Sequence, residues 1–115
     1  MSPTIGEGWN ISFDPAVGAE IQKTRPAVVI SDPSVGKLQL RIVVPITDWD
    51  DRYAKFPWFV ELKATKFNGL EKNSGADAFQ VKSVSLNRFK SCRGRLLDSQ
   101  LDNIASSIAI CIGLA

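Results

Sequence analysis

The run Pro26-Ala27-Val28-Val29-Ile30-Ser31 decides the fold class. It is nearly unbroken in apolar, largely β-branched residues, and it begins at a proline. The turn sequence Asp32-Pro33-Ser34-Val35-Gly36 follows it. That pattern marks a central strand buried on both faces, with the proline confined to its first position. Upstream, Gly8 to Phe13 (GWNISF) alternates apolar and polar residues and stops at the turn pair Asp14-Pro15. Residues 14–25 (DPAVGAEIQKTR) carry Pro, Gly and charge without a period, and read as a loop. Downstream, Leu38 to Ile46 (LQLRIVVPI) and Pro57 to Leu62 (PWFVEL) are two further strand runs, joined by the exposed loop TDWDDRYAKF. Asp77 to Val81 is a shorter strand candidate, and Ser85 to Lys90 a short helical turn.

From Asp98 onward the period changes. Leu101, Ile104, Ala105, Ile108, Cys111 and Ile112 form a helical stripe, with Asp98 or Ser99 placed to cap it and Gly113 to end it. Several short strands at close spacing followed by one helix predict a mostly β (α+β) class, a small antiparallel barrel or sheet rather than βαβ units.

The chain has 115 residues, 44% of them hydrophobic and 23% charged, which fits one globular domain over 1–115. No apolar run approaches the roughly 18 residues of a membrane span. The N-terminal Met-Ser-Pro-Thr-Ile-Gly-Glu-Gly lacks a basic segment leading into an apolar one, so the expected compartment is the cytoplasm, with no membrane partner. Histidine is absent. Any mechanism that needs an imidazole from this chain is therefore excluded, which removes Ser-His-Asp and Cys-His hydrolases, two-histidine ribonucleases and HExxH metalloproteases. Cys92 and Cys111 are too few for a four-cysteine zinc site and read as buried thiols. Net charge is only +2, but five basic residues (Lys82, Arg88, Lys90, Arg93, Arg95) lie between Lys82 and Leu97 with no acid among them. Such a segment suits a phosphate backbone as well as a merely solvated face. Asp48-Trp49-Asp50-Asp51 is its acidic counterpart.

The segment Phe13-Asp14-Pro15-x-x-Gly18-x-Glu20-x-x-Lys23-x-Arg25-Pro26-Ala27-Val28-Val29-Ile30-Ser31 resembles the signature of the MazF/PemK family of toxin endoribonucleases. Three further blocks agree in order and distance. They are Val43-Val44-Pro45-Ile46-Thr47, then Gly69-Leu70-Glu71-Lys72-Asn73-Ser74 followed by Gln80-x-Lys82-Ser83, and Gly94-Arg95-Leu96 before the C-terminal helix. The resemblance implies a small SH3-like barrel of the PemK/CcdB type with a packed C-terminal helix. Lys82 stands where the family usually has arginine, and the two differ in bidentate phosphate contacts. Leu97 replaces the serine that commonly caps the last helix, which moves the expected cap to Asp98.

The family's reaction implies cleavage of single-stranded RNA by attack of a ribose 2′-hydroxyl on the adjacent phosphorus, with no cofactor and no metal. By resemblance, Arg25 and Thr47 are the catalytic pair. Arg25 supplies a permanent cation with five donors, pre-organised by Pro26, and Thr47 offers a hydroxyl to a non-bridging oxygen. Glu20 is the nearest matched carboxylate, a base or else an ion-pair partner of Lys23 or Arg25. Lys23, Trp49, Gln80, Lys82 and Ser83 are the expected substrate contacts, Trp49 as a stacking ring in a loop. Trp9, Phe13, Phe59 and Phe79 read as core. The implied assembly is a homodimer neutralised by a cognate, MazE-like antitoxin. The same fold also serves gyrase-binding toxins without nuclease chemistry, so a gyrase binder or a non-catalytic binding module is the alternative, and only the site can separate the two.

Overall fold

The computed structural model describes residues 2–115. Its seven strands are β1 Glu7–Ser12, β2 Thr24–Val29, β3 Leu40–Asp48, β4 Phe59–Leu62, β5 Ser74–Asp77, β6 Lys82–Ser85 and β7 Phe89–Arg95, followed by the helix α1 Asp98–Cys111. All strand pairs are antiparallel, in the order β4-β5-β3-β2-β1-β7, with β6 also paired to β3. β3 is long enough to serve two partners along one edge, β6 against Leu40–Val43 and β5 against Ile46–Asp48. Pro45, which has no N–H to donate, lies in the gap between them.

The hydrophobic runs of β2 and β3 are continuous because both faces are covered. Val28, Val44 and Ile46 turn toward Leu62, Leu96 and Ile104 of α1. Ala27, Val29 and Val43 turn the other way, toward Trp9, Ile11, Phe13, Val84 and Phe89. The ends of the strand path are joined by the loop after β4, since Arg95 N–H donates to Phe67 O and an Arg93 Nη donates to Gly69 O. Gly94 (φ +152°) and Gly69 (φ +69°) permit this close crossing, because a Cβ at either would collide with the carbonyl oxygen of Phe67 or of Arg93.

Several expectations are corrected. Asp77 closes β5 instead of opening a strand: its carboxylate accepts from Phe79 N–H, and Ala78–Gln80 form a 3₁₀ turn. The turn expected at Ser85–Lys90 is a 3₁₀ segment over Leu86–Arg88, and the unexpected β6 and β7 flank it. α1 begins at Asp98 with Leu97 as its N-cap, and the Gln100 side chain accepts from Leu97 N–H in place of an Asp98 cap. Leu101, Ile104 and Ile108 of the expected stripe pack on the core, whereas Ala105 and Ile112 are exposed; the polar Gln100 and Ser107 are buried beside them, Ser107 donating to Pro57 O at 2.6 Å. Gly113 ends the helix at φ +79° as expected. The cysteines are free, but Cys92 is exposed and Cys111 half-buried, so neither is a core thiol. Phe79 is 71% exposed, not core.

Candidate functional site

The registers of three strand pairs build the site. Ile11 of β1 pairs with Arg25 of β2. β2 and β3 pair Ala27 with Pro45, so carrying that register two residues further sets Arg25 opposite Thr47. Thr47 pairs in turn with Gly75 of β5, and Gly75 with Glu61 of β4. Arg25 and Thr47 therefore share one lateral row and the face that carries Ala27, Val29 and Val43. Both are half-buried. The Arg25 guanidinium makes one contact, Nε to Gln22 O at 3.4 Å, and no ion pair among the described residues.

Trp49, two residues beyond Thr47, lays its ring over Gly75, where a Cβ would come within 3.2 Å of it. Its indole N–H donates to Asp51, and its ring meets Tyr53 edge-on at 5.7 Å. Tyr53 stacks on Phe59 at 3.9 Å. Trp49 is thus a wall of an aromatic cluster beside the row and no isolated loop ring.

The loop from Asp14 to Lys23 folds back over the same face, with Ile21 packed on its apolar cluster. Three clamps hold it. Asp14 accepts from Lys23 N–H at 3.0 Å, with Lys23 in the left-handed region at φ +68°. Arg88 donates to the carbonyls of Ser12 and Asp14. Gln80 Oε1 accepts from Ile21 N–H at 2.6 Å. Gln80 Nε2 also reaches Asp77 at 3.4 Å, so each end of this amide makes one bond to the protein. Burial of Asp77 pushes its carboxyl above the ordinary value, and burial followed by the Asp77 charge pushes the Cys111 thiol up. Asp14 and Arg88 escaped the sequence reading. Their signal was the Asp-Pro turn pair and a basic residue 74 positions away, which only the fold connects.

Glu20 forms neither of the expected ion pairs. Its Oε1 accepts from Val17 N–H at 2.7 Å, and it lines a groove of about 400 Å³ with Ile21, Phe79 and Lys82. Lys82 pairs with Val43 and stands on the Arg25 and Thr47 face. Ser83, one residue on, points to the opposite face and lines a different groove beside Ile42. The basic segment dissolves into clamps as well: Arg93 ties Asn10 to Gly69, and Arg95 ties Ile5 and Thr4. The strand register thus aligns Arg25 with Thr47, with Trp49 two residues further along the chain, while Glu20, Gln80 and Lys82 line one groove. Among the described residues, no three Cys, Asp or Glu side chains cluster as metal ligands would.

The family of PemK-like, MazF-like toxins of type II toxin–antitoxin systems matches residues 5–112. The chain belongs to this family. A MazF relative, the endoribonuclease MazF9 of Mycobacterium tuberculosis, is 32% identical over 116 residues, covering 95% of each chain. The crystal structure of MazF from Deinococcus radiodurans shares the MazF fold at a TM-score of 0.82, with 22% identity over 98% of both chains. An endoribonuclease in complex with its cognate antitoxin from a Mycobacterial species superposes at 0.76 with 13% identity, covering 99% of this chain and 98% of that one. The mostly β PemK/MazF fold with one C-terminal helix is therefore established. Among the described residues, no helix is long and apolar enough to cross a membrane.

Proposed function

We propose that this chain is a metal-independent, sequence-selective endoribonuclease toxin that cleaves single-stranded RNA and is neutralised by a cognate antitoxin. The observation that carries the reading is the β2–β3 register, which, carried two residues beyond the Ala27–Pro45 pair, sets Arg25 opposite Thr47, one a permanent cation without an ion-pair partner among the described residues, the other a hydroxyl. The endoribonuclease name of a relative 32% identical supports it.

In the proposed reaction a ribose 2′-oxygen forms a bond to the adjacent phosphorus while the bond to the 5′-oxygen breaks. The 2′ proton passes to solvent and the departing 5′-oxygen takes one up, leaving 2′,3′-cyclic phosphate and 5′-hydroxyl ends. Arg25 cannot act as the base, since a guanidinium has donors only and no acceptor to take a proton. Its work is to neutralise the charge that accumulates on the phosphorane oxygens, with donors fixed before the substrate arrives. Thr47 donates to a second non-bridging oxygen, and the strand backbone holds both groups in place. The chain acts as a homodimer in the cytoplasm, and Lys23 and Lys82 supply further positive charge to the RNA backbone.

The test is cleavage of a long single-stranded RNA in EDTA by the wild type and by Arg25→Ala, with mapping of the new ends. Discrete 5′-hydroxyl fragments should come from the wild type, and the variant should lose at least about 100-fold in rate, the loss typical of removing one pre-organised donor. Its melting temperature should hold within about 2 °C, as for surface substitutions of roughly ±0.5 kcal/mol. Cleavage by Arg25→Ala at wild-type rate, or strong inhibition by EDTA that magnesium reverses, would refute the mechanism.

A further inference from the structure

Phe79 is the most exposed aromatic ring among the described residues, 71% accessible, yet its backbone is pinned on both sides. Asp77 accepts from its N–H, Ala78 before it is fully buried, and Gln80 after it is latched to Ile21. A ring left in water on a rigid 3₁₀ turn forgoes the burial that normally places phenylalanine inside. It lines a groove together with Glu20 and Lys82. Lys82 has no ion-pair partner among the described residues, and Glu20 spends only Oε1 on its own loop, where it accepts from Val17 N–H, while it lines the groove. The loop that forms one wall of the groove leads through Lys23 directly into Arg25.

We infer that this groove is a nucleobase subsite, in which Phe79 stacks on one unpaired RNA base beside the cleaved linkage, a reading that rests on the proposed nuclease function. An aromatic platform next to unpaired cations is the arrangement that holds single-stranded RNA, the ring taking the base and the cations the backbone. Lys82 takes the phosphate on the groove side. The Glu20 carboxylate, an acceptor only, meets the edge of the stacked base and selects one that presents an amino group over uracil, whose two carbonyls it would repel. Trp49 is the poorer platform, since Gly75 lies under its ring and Tyr53 against it. Gln80 positions the loop, its Oε1 accepting from Ile21 N–H and its Nε2 donating to Asp77.

The experiment compares the wild type with Phe79→Ala, Phe79→Trp and Glu20→Gln on a randomised single-stranded RNA, with sequencing of the cleaved ends. Binding is read separately with a fluorescein-labelled oligonucleotide carrying 2′-O-methyl groups, which cannot be cleaved. Phe79→Ala should raise KM about 5- to 150-fold, the range for losing one stacked base, with a much smaller change in kcat, and Phe79→Trp should restore it. Glu20→Gln should relax the amino preference at one position of the cleaved word, whereas a general base would lose kcat on every word alike. Unchanged KM and binding in Phe79→Ala would overturn the subsite while leaving the nuclease reading intact. So would a Phe79→Ala chain that turns monomeric in light scattering, which would make the ring a protein contact. A wild type that cleaves nothing but binds the oligonucleotide through Phe79 would overturn the nuclease reading and keep the subsite.

Discussion

Replacing Gln80 with leucine tests the latch between the loop and the 3₁₀ turn. The Gln80 carbonyl takes Ile21 N–H at 2.6 Å in a half-buried setting. Its loss removes about 1 kcal/mol of net hydrogen bonding and leaves a partly buried donor unpaired, worth up to about another 1 kcal/mol. At about 2.1 cal/mol/K per residue, a chain of 115 residues has an unfolding entropy near 0.24 kcal/mol/K. The combined loss of about 1–2 kcal/mol then lowers the melting temperature by about 4–8 °C. Amide exchange localises the effect. Protection at Ile21 should fall about tenfold for each 1.4 kcal/mol lost, while the Leu86 amide, bonded to Gln39 O, keeps its protection. Gln80→Glu is the control, because it keeps the acceptor but sets a second carboxylate where Gln80 Nε2 now meets Asp77 at 3.4 Å. Its defect should shrink as the pH falls and one of the two takes up a proton. Unchanged exchange at Ile21 in Gln80→Leu would show that this bond does not hold the loop.

Two further outcomes follow from the same geometry. Gly94→Ala should cost more than about 3 kcal/mol, since a side chain at φ +152° is strained and its Cβ would press on the Phe67 carbonyl oxygen; chemical denaturation measures it, and a loss under about 1 kcal/mol would refute the close crossing. Asp77 holds its proton more tightly in the folded chain than its ordinary value of 3.8. Its contribution therefore erodes as the pH rises upward from 3.8, and the melting curve of Asp77→Asn against pH should be flatter there than that of the wild type. Parallel curves would place the shift elsewhere.

The strands that bury apolar residues were legible, because alternation in GWNISF and continuity in PAVVIS report directly on how many faces are covered. β7 was not. Its FKSCRGR has no apolar period, since it is the last strand of the path and four of its seven residues are exposed. Asp77 to Val81 misread as a strand because the Asx turn at Asp77 is a side-chain choice that a pattern of apolar residues does not record. The helix stripe was legible at Leu101, Ile104 and Ile108, but not the burial of Ser107, whose bond to a backbone carbonyl lets a polar residue occupy a buried position. In the site, Arg25 and Thr47 could be nominated by resemblance, but their proximity required the strand register, which no local motif encodes. Phe79 reads as core on residue type alone, but the Asx turn before it leaves the ring in water, and the bond from Ile21 N–H to Gln80 joins positions 59 residues apart that no motif connects.

The register that joins β2 to β3 also polices the chemistry. Sliding one strand by a single residue would turn Arg25 or Thr47 to the far side of the sheet, and the same slip would push Ala27 and Val29, or Val43, out of their apolar cluster. A molecule in which the proposed reactive pair is misaligned is therefore also a molecule with a broken core, so the folded state carries that pair in one alignment only. The packing of Ala27, Val29 and Val43 thus guards the alignment of the proposed pair, and fold quality and site quality are one property.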